Sequence, residues 1–374
     1  MGQSRTDRFI AIAMIAPSII LIAIFVYGFI GWTGWTSLTD SNALQQLQRL
    51  PANNVGLTNY GNLFAGQLDN RFRVDIVNTV FFTGLFVLVC LGLGMLLAIL
   101  LDQKIKGEGI FRTIFLFPMA LSFVVTGVVW KWLFNPGAGI NVLPTAIGLP
   151  AGTFRWFISE DRILEFVWRD LPIIAAVLIG LFVILPALYY VVTRRSRVGG
   201  IILIVGVILN AWLLLGAAPA LAGRSYLGQE RHGFNLALLA VVLAAGWQMS
   251  GYTMAMYLAG LRGISEELRE AARVDGCSEI GVYRRIVFPL LAPITLSAII
   301  ILGHISLKIF DLVYVMGGGD NLKIDMPGLN MFFETFRGQN FGRGAAIAMV
   351  MLVMVAVVIV PYLISNFRSE ATRR

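Results

Sequence analysis

Charge is scarce in this chain. Asp, Glu, Lys and Arg make up 13% of its 374 residues, against about 25% in ordinary soluble domains. That excludes a normal water-facing surface and leaves a lipid bilayer as the solvent. Histidine occurs only as His232 and His304, too few for a histidine-based metal cluster or catalytic triad. The two cysteines, Cys90 in an apolar run and Cys277 in a charged one, argue against a disulfide and against a metal site. No G-x-x-x-x-G-K-[ST] phosphate loop is present, so the chain lacks the equipment to hydrolyse ATP itself.

Hydrophobic residues are abundant, at 57% with a mean hydropathy of +0.79. A membrane-spanning helix needs roughly 20 mostly apolar residues. Eight runs qualify: 9–30, 76–101, 111–133, 171–193, 200–222, 235–260, 291–315 and 343–366. The first exceeds the roughly 7–15-residue core of a cleaved signal peptide. It exits into Gly31-Trp32-Thr33-Gly34-Trp35, an interfacial aromatic anchor, and reads as a retained span.

The net charge of +8 would suit nucleic acid, but the positions of the charges argue otherwise. Basic residues crowd into Arg5 and Arg8, Lys104 to Arg112, Arg194 to Arg197, Arg262 to Arg285 and Arg368 to Arg374. These segments all fall on one side of an eight-span chain, the cytoplasmic side by the positive-inside rule. Both termini are then cytoplasmic, and no nucleic-acid partner is expected. The fold class is all-α integral membrane. Spans 171–193 and 200–222 form a tight hairpin, closed by Arg194-Arg195-Ser196-Arg197 and kinked at Pro186 and Pro219. The outer segment after the first span carries Leu44 to Arg49 as a short surface helix.

One charged, helix-prone island, Glu267 to Pro293, lies between two apolar runs on the cytoplasmic side. Ser265 is placed to cap a first helix, with Glu266 and Glu267 in its first turn. Gly276 supplies a left-handed stop. Ser278 opens a second short helix that ends before Pro289. Ala271 and Ala272 would let another protein approach that face closely. The alternative is an amphipathic helix lying on lipid headgroups.

The island resembles the EAA motif of membrane subunits of ATP-binding-cassette importers. The match covers Glu270, Ala271, Ala272, Asp275, Gly276, Tyr283, Ile286, Pro289 and Pro293, with Phe288 where leucine is common. Further stretches resemble carbohydrate-type permeases related to the maltose transporter's membrane subunits. They are Gly56 to Tyr60 with Asn78-Thr79, Phe111 to Pro118, Trp130 to Asn141, Trp247 with Tyr252, Lys308 to Asp311 with Gly317 to Gly319, and Phe341 to Ala346. Two positions depart from the family signature: Met316 stands where threonine is usual, and Asp320 where proline is.

The resemblance implies a six-helix type I importer core with an inserted two-helix hairpin at 164–230. It also implies a coupling loop at 264–290 that docks on an ATPase through Glu270, Ala271, Ala272, Asp275, Gly276, Ile286 and Pro289. ATP and Mg would sit on two partner ATPase subunits, and this chain would bind no cofactor. A second, similar permease and an extracytoplasmic sugar-binding protein would complete the assembly, in a bacterial or archaeal cytoplasmic (inner) membrane. Solute contacts carried across by position fall on Gln248, Met249, Tyr252, Leu302, Ile305, Ser306 and Ile309.

Independently of the resemblance, His304, Lys308 and Asp311 are polar residues inside an apolar run. A mid-bilayer charge costs roughly 2.5–3.5 kcal/mol on insertion scales, so it faces protein or water. Lys308 and Asp311 are spaced to pair at i,i+3 on a helix, either to fix packing or to line a solute path. Trp247 reads equally as a packing aromatic. The expected activity is sugar import driven by separate ATPases. A self-sufficient secondary transporter and a permease for a non-sugar solute such as glycerol phosphate are the alternatives.

Overall fold

A bilayer offers the backbone no hydrogen bonds, so an apolar chain must satisfy its amides internally as helix. The computed structural model describes residues 5–67, 70–103, 105–194, 197–224, 228–319 and 321–373, and only the backbone of 5–11, 194 and 365–373. Lys104, Arg195, Ser196, Asp320 and Arg374, each given a role above, lie outside the described residues.

Among these residues, seven helices are long and apolar enough to cross a membrane, or eight if one bent pair is counted as a span. In chain order the long elements are α1 (Ile12–Ser37), α2 (Arg71–Asp102), the bent pair α3 (Glu108–Ala120) and α4 (Phe123–Leu133), α5 (Trp168–Thr193) and α6 (Arg197–Ala222). After them come α7 (Ala237–Arg262), the short charged helix α8 (Glu266–Val274), α9 (Glu279–Leu307), α10 (Asp311–Gly317) and α11 (Phe341–Ile364).

Three expectations are corrected. The run 111–133 is not one straight span, because the chain turns by 100° between α3 and α4. Leu121 and Ser122 take extended backbone there, and Ser122 caps α4 by accepting a hydrogen bond from the Val125 amide at 3.2 Å. The run 291–315 is broken too. Its helix stops at Leu307, and α10 starts afresh at Asp311, whose carboxylate suits the positive end of that helix. Third, the helix opening at Ser278 does not end before Pro289 but runs on as α9.

That last result has a local cause. Proline cannot donate to the carbonyl four residues back, and its ring crowds that carbonyl. In α9 a π turn over Tyr283–Val287 widens the backbone just before Pro289. The same device precedes Pro186 (π turn Gly180–Ile184) and Pro219 (π turn Leu213–Ala217).

The chain divides into two compact units, residues 1–158 with 237–374, and residues 159–236. In the first, α7 is the central helix and is largely buried. It packs along α2, with α9 and the bent pair beside it. The Thr253 hydroxyl donates to the Cys90 carbonyl at 2.6 Å and ties α7 to α2. The end of α1 nearest Ser37 packs on α11.

The second unit is α5 and α6 laid side by side, with the Asn210 amide donating to the Ala176 carbonyl at 2.8 Å. The all-α expectation missed a two-stranded antiparallel sheet in this unit. β1 (Arg162–Val167) pairs with β2 (Arg231–Asn235) in the register Ile163↔Phe234 and Phe166↔His232, with an irregularity between Ile163 and Phe166.

Candidate functional site: the charged island and the broken helices

The island is a helix, a left-handed turn and the start of a second helix. Glu266 and Glu267 occupy the first turn of α8, where the macrodipole favours acids. The Ser265 side chain, expected to cap α8, makes no capping hydrogen bond. At the other end the stop is complete. The Cys277 amide donates to the Ala272 carbonyl at 2.9 Å and the Gly276 amide to the Arg273 carbonyl at 3.0 Å, which is a Schellman motif. Gly276 has φ of +83° with open space around its missing Cβ. A side chain there would cost conformational energy without touching anything.

Gly276→Val is therefore expected to weaken this turn by about 1–2 kcal/mol while leaving the spans intact. Faster amide hydrogen exchange confined to residues 266–282 would show it; unchanged exchange would mean that the turn does not depend on glycine.

The two faces of α8 differ. Glu270, Ala271, Asp275 and Gly276 are exposed, but Ala272 is buried at 7% exposure. It packs with Ala98 and Leu101 of α2, Met254 to Leu261 of α7, and Val282, Val287 and Leu291 of α9. The expectation that both alanines face outward is corrected: Ala272 seats the helix, and only Ala271 is free for another protein. Ile286 is half-buried against the same cluster, and Pro289 is exposed. Two bare apolar side chains, Val274 at 87% and Ile280 at 80%, flank the turn. Arg273 reaches Glu279 at 2.7 Å and Glu266 at 3.2 Å, and so staples the two helices together.

Sequence reasoning treated Arg269 only as one more cytoplasmic charge. It is 11% exposed, donating to Asp102 at 2.9 Å and to the Leu261 carbonyl at 2.8 Å. Its spacing, three residues before a small residue on an otherwise charged helix, was the available signal.

The break between α3 and α4 explains Gln248. Its amide donates to the Leu121 carbonyl at 2.6 Å, supplying a partner to a backbone group the bend has freed. Gln248 is 3% exposed and Met249 8%. Leu302 and Ile309 are buried as well. So is Ser306, whose hydroxyl pairs with Thr83 of α2 at 2.9 Å and donates to the Gly303 carbonyl at 2.8 Å. These five were expected to contact solute, but each is buried inside the chain as it stands. Of the seven, Tyr252 and Ile305 keep partly open surface.

Beside them, His304 is half-exposed, and Lys308 and Asp311 are exposed on either side of the break between α9 and α10. No ion pair joins Lys308 to Asp311 among the described residues, because the break removes the i,i+3 helical geometry. Trp247 packs edge-on against Trp130 of α4 at 5.8 Å. The described residues thus show two separate features: an exposed charged turn seated on three spans, and partly open polar residues on either side of a helix break.

Comparison with known proteins matches residues 90–370 to the family described as binding-protein-dependent transport system inner membrane component. The chain is 33% identical to a probable ABC transporter permease protein of Pyrococcus horikoshii, over 96% of each chain. It is 32% identical to the xylose/arabinose import permease protein XacH of Haloferax volcanii, over 78% of this chain and 68% of that one. The crystal structure of a bacterial ABC transporter for import of the acidic polysaccharide alginate superposes with a TM-score of 0.63 at 17% identity, covering 99% of this chain and 98% of that one.

Proposed function

The chain belongs to the binding-protein-dependent transport system inner membrane component family, and from that premise we propose that it is the permease through which an ABC importer moves a sugar. The kinship with a xylose/arabinose permease supports the solute class. The observation that carries the reading is the island: an exposed, stapled helical turn bearing bare Val274 and Ile280, seated through Ala272 on α2, α7 and α9. Bare apolar side chains on so charged an element suit a contact with another protein. In this reading Glu270, Ala271, Asp275 and Gly276 meet an ATPase subunit, while Ala272 and Ile286 hold the element in place.

ATP and Mg act on two such partner subunits, and this chain binds no cofactor. The assembly also contains a second permease and an extracytoplasmic sugar-binding protein. It sits in the cytoplasmic (inner) membrane with both termini and the island in the cytoplasm. The solute passes the rim of Tyr252, His304, Ile305, Lys308 and Asp311. A tyrosine ring stacks on the apolar face of a sugar, and the polar groups bond its hydroxyls.

The test is uptake by the assembled transporter in proteoliposomes, using radiolabelled glucose, xylose, maltose, trehalose and glycerol 3-phosphate. ATP-dependent accumulation of a sugar is expected, with none by this chain alone on an ion gradient. Accumulation by the chain alone would establish a secondary transporter instead, and uptake of glycerol 3-phosphate alone would replace the sugar by a phosphorylated solute.

A further inference from the structure

A helix that passes force into a membrane domain needs more than a docking face. It needs a stiff link to the spans it moves. On α8 only two side chains turn inward, Ala272 and Arg269, and the rest are exposed. Ala272 offers one methyl group to the core cluster. Such a contact resists compression but slides readily, because dispersion contacts have no direction.

Arg269 is different in kind. One arm of its guanidinium donates to the carboxylate of Asp102, the last residue of α2, at 2.9 Å. The other donates to the carbonyl of Leu261, in the last turn of α7, at 2.8 Å. Both acceptors are negative, one by ionisation and the other by its place at a helix C-terminus. Both partners of the ion pair are 11% exposed, so water screens it little. A planar fork with fixed donors holds two acceptors in one geometry, which a lysine ammonium cannot do.

The two helices so joined, α2 and α7, pack along each other and are tied again by Thr253 and Cys90. Nearby pairs lack this reach. Among the described residues Arg273 pairs with Glu266 and Glu279 inside the island, and Arg262 with Glu108 is a more exposed pair at 2.6 Å.

We propose that Arg269 is the positioning residue that converts displacement of the island into movement of the α2–α7 pair, by bridging Asp102 and the Leu261 carbonyl. The proposal rests on the importer reading and deepens it by naming the joint. Arg269 is not among the residues proposed to meet the solute or the ATPase. Its loss therefore separates ATP hydrolysis from transport rather than abolishing both.

The experiment measures labelled solute moved per ATP hydrolysed by the assembled transporter in proteoliposomes, using the member of the panel above that the wild type accumulates. Arg269→Gln is expected to leave subunit assembly and ATP hydrolysis near wild type while solute per ATP falls about tenfold, within the range over which residues along a coupling route act. Asp102→Asn keeps an acceptor but loses its charge, and falls less. Arg269→Lys reaches one acceptor at a time and is intermediate. The double exchange Arg269→Asp with Asp102→Arg recovers part of the loss. Should Arg269→Gln fail to assemble, Asp102→Asn and Arg269→Lys decide the matter. An unchanged ratio in the variants, with a coupled wild type, overturns the joint alone. A wild type without ATP-dependent uptake overturns the importer reading and the joint with it.

Discussion

Gly251→Val is expected to abolish uptake and to lower the melting temperature of the purified permease more than a core substitution of the same size elsewhere. A Cβ at position 251 would lie 2.1 Å from the Phe115 carbonyl oxygen and 3.3 Å from the Leu116 Cα. Both are backbone atoms of α3, so no side-chain rotation relieves the clash. The whole helix must withdraw from α7. One turn away, the same withdrawal would open the hydrogen bond from Gln248 to Leu121 and leave the carbonyl at the bend without its partner. Overpacking costs about 1–3 kcal/mol, and stranding a buried acceptor adds about 1–3 kcal/mol more. Gly251→Ala should be damaging too, because the clash begins at Cβ itself. Scanning fluorimetry in detergent checks the stability and the proteoliposome assay checks the transport. Wild-type behaviour of the alanine variant would mean that α3 and α7 do not touch there.

The second large effect is expected at the N-terminal end of α2. Arg71 pairs with Asp325 at 2.5 Å, and Asp325 is 1% exposed. The same carboxylate accepts from the Met326 amide at 2.9 Å, and Asn78 donates to the Asp325 carbonyl at 3.0 Å. Nearby, Asn330 donates to the fully buried Asp75 at 2.6 Å. These contacts pin the segment 322–330 onto the beginning of α2. Removing one partner of a fully buried ion pair costs about 3–5 kcal/mol, but Arg71 is 22% exposed and keeps Asp75 and Glu334 nearby, which lowers the cost here. Asp325→Ala is therefore expected to destabilise the permease by less than that full cost, and Asp325→Asn by less again. Denaturant unfolding of the two variants beside wild type checks the order. If alanine and asparagine behave alike, the ionic component contributes nothing.

The island was the most legible part of the molecule. Its features are local: acids in a first turn, glycine at a stop and serine at a cap all act within a few residues of themselves. The stop at Gly276 and the cap at Ser278 follow from that chemistry alone. Ser265 shows the limit of such reasoning, since it occupies the cap position without making the bond.

The long apolar runs were legible for a related reason, because hydropathy averaged over a window needs no knowledge of neighbours. The same averaging hid the breaks. Lys308 and Asp311 fit a helical spacing, and nothing in their window says that the chain leaves the helix between them. The burial of Ser306 and Gln248 was hidden for a longer-range reason. A buried polar side chain is recognised by its partner, and theirs are Thr83 and the Leu121 carbonyl, far away along the chain. The strand pair was hidden likewise. Arg162–Val167 and Arg231–Asn235 are short, and each is extended only because the other is present.

That strand pair has a topological consequence. In an antiparallel ladder, facing residues stand about 5 Å apart at their Cα atoms. Ile163 and Phe234 face each other in this way, and just outside them the Leu236 amide bonds the Asp161 carbonyl at 3.0 Å. The chain thus leaves on a detour of two membrane crossings and returns almost to its point of departure. A detour with so narrow a doorway and an even number of crossings imposes no change of distance or of membrane side on what precedes and follows it.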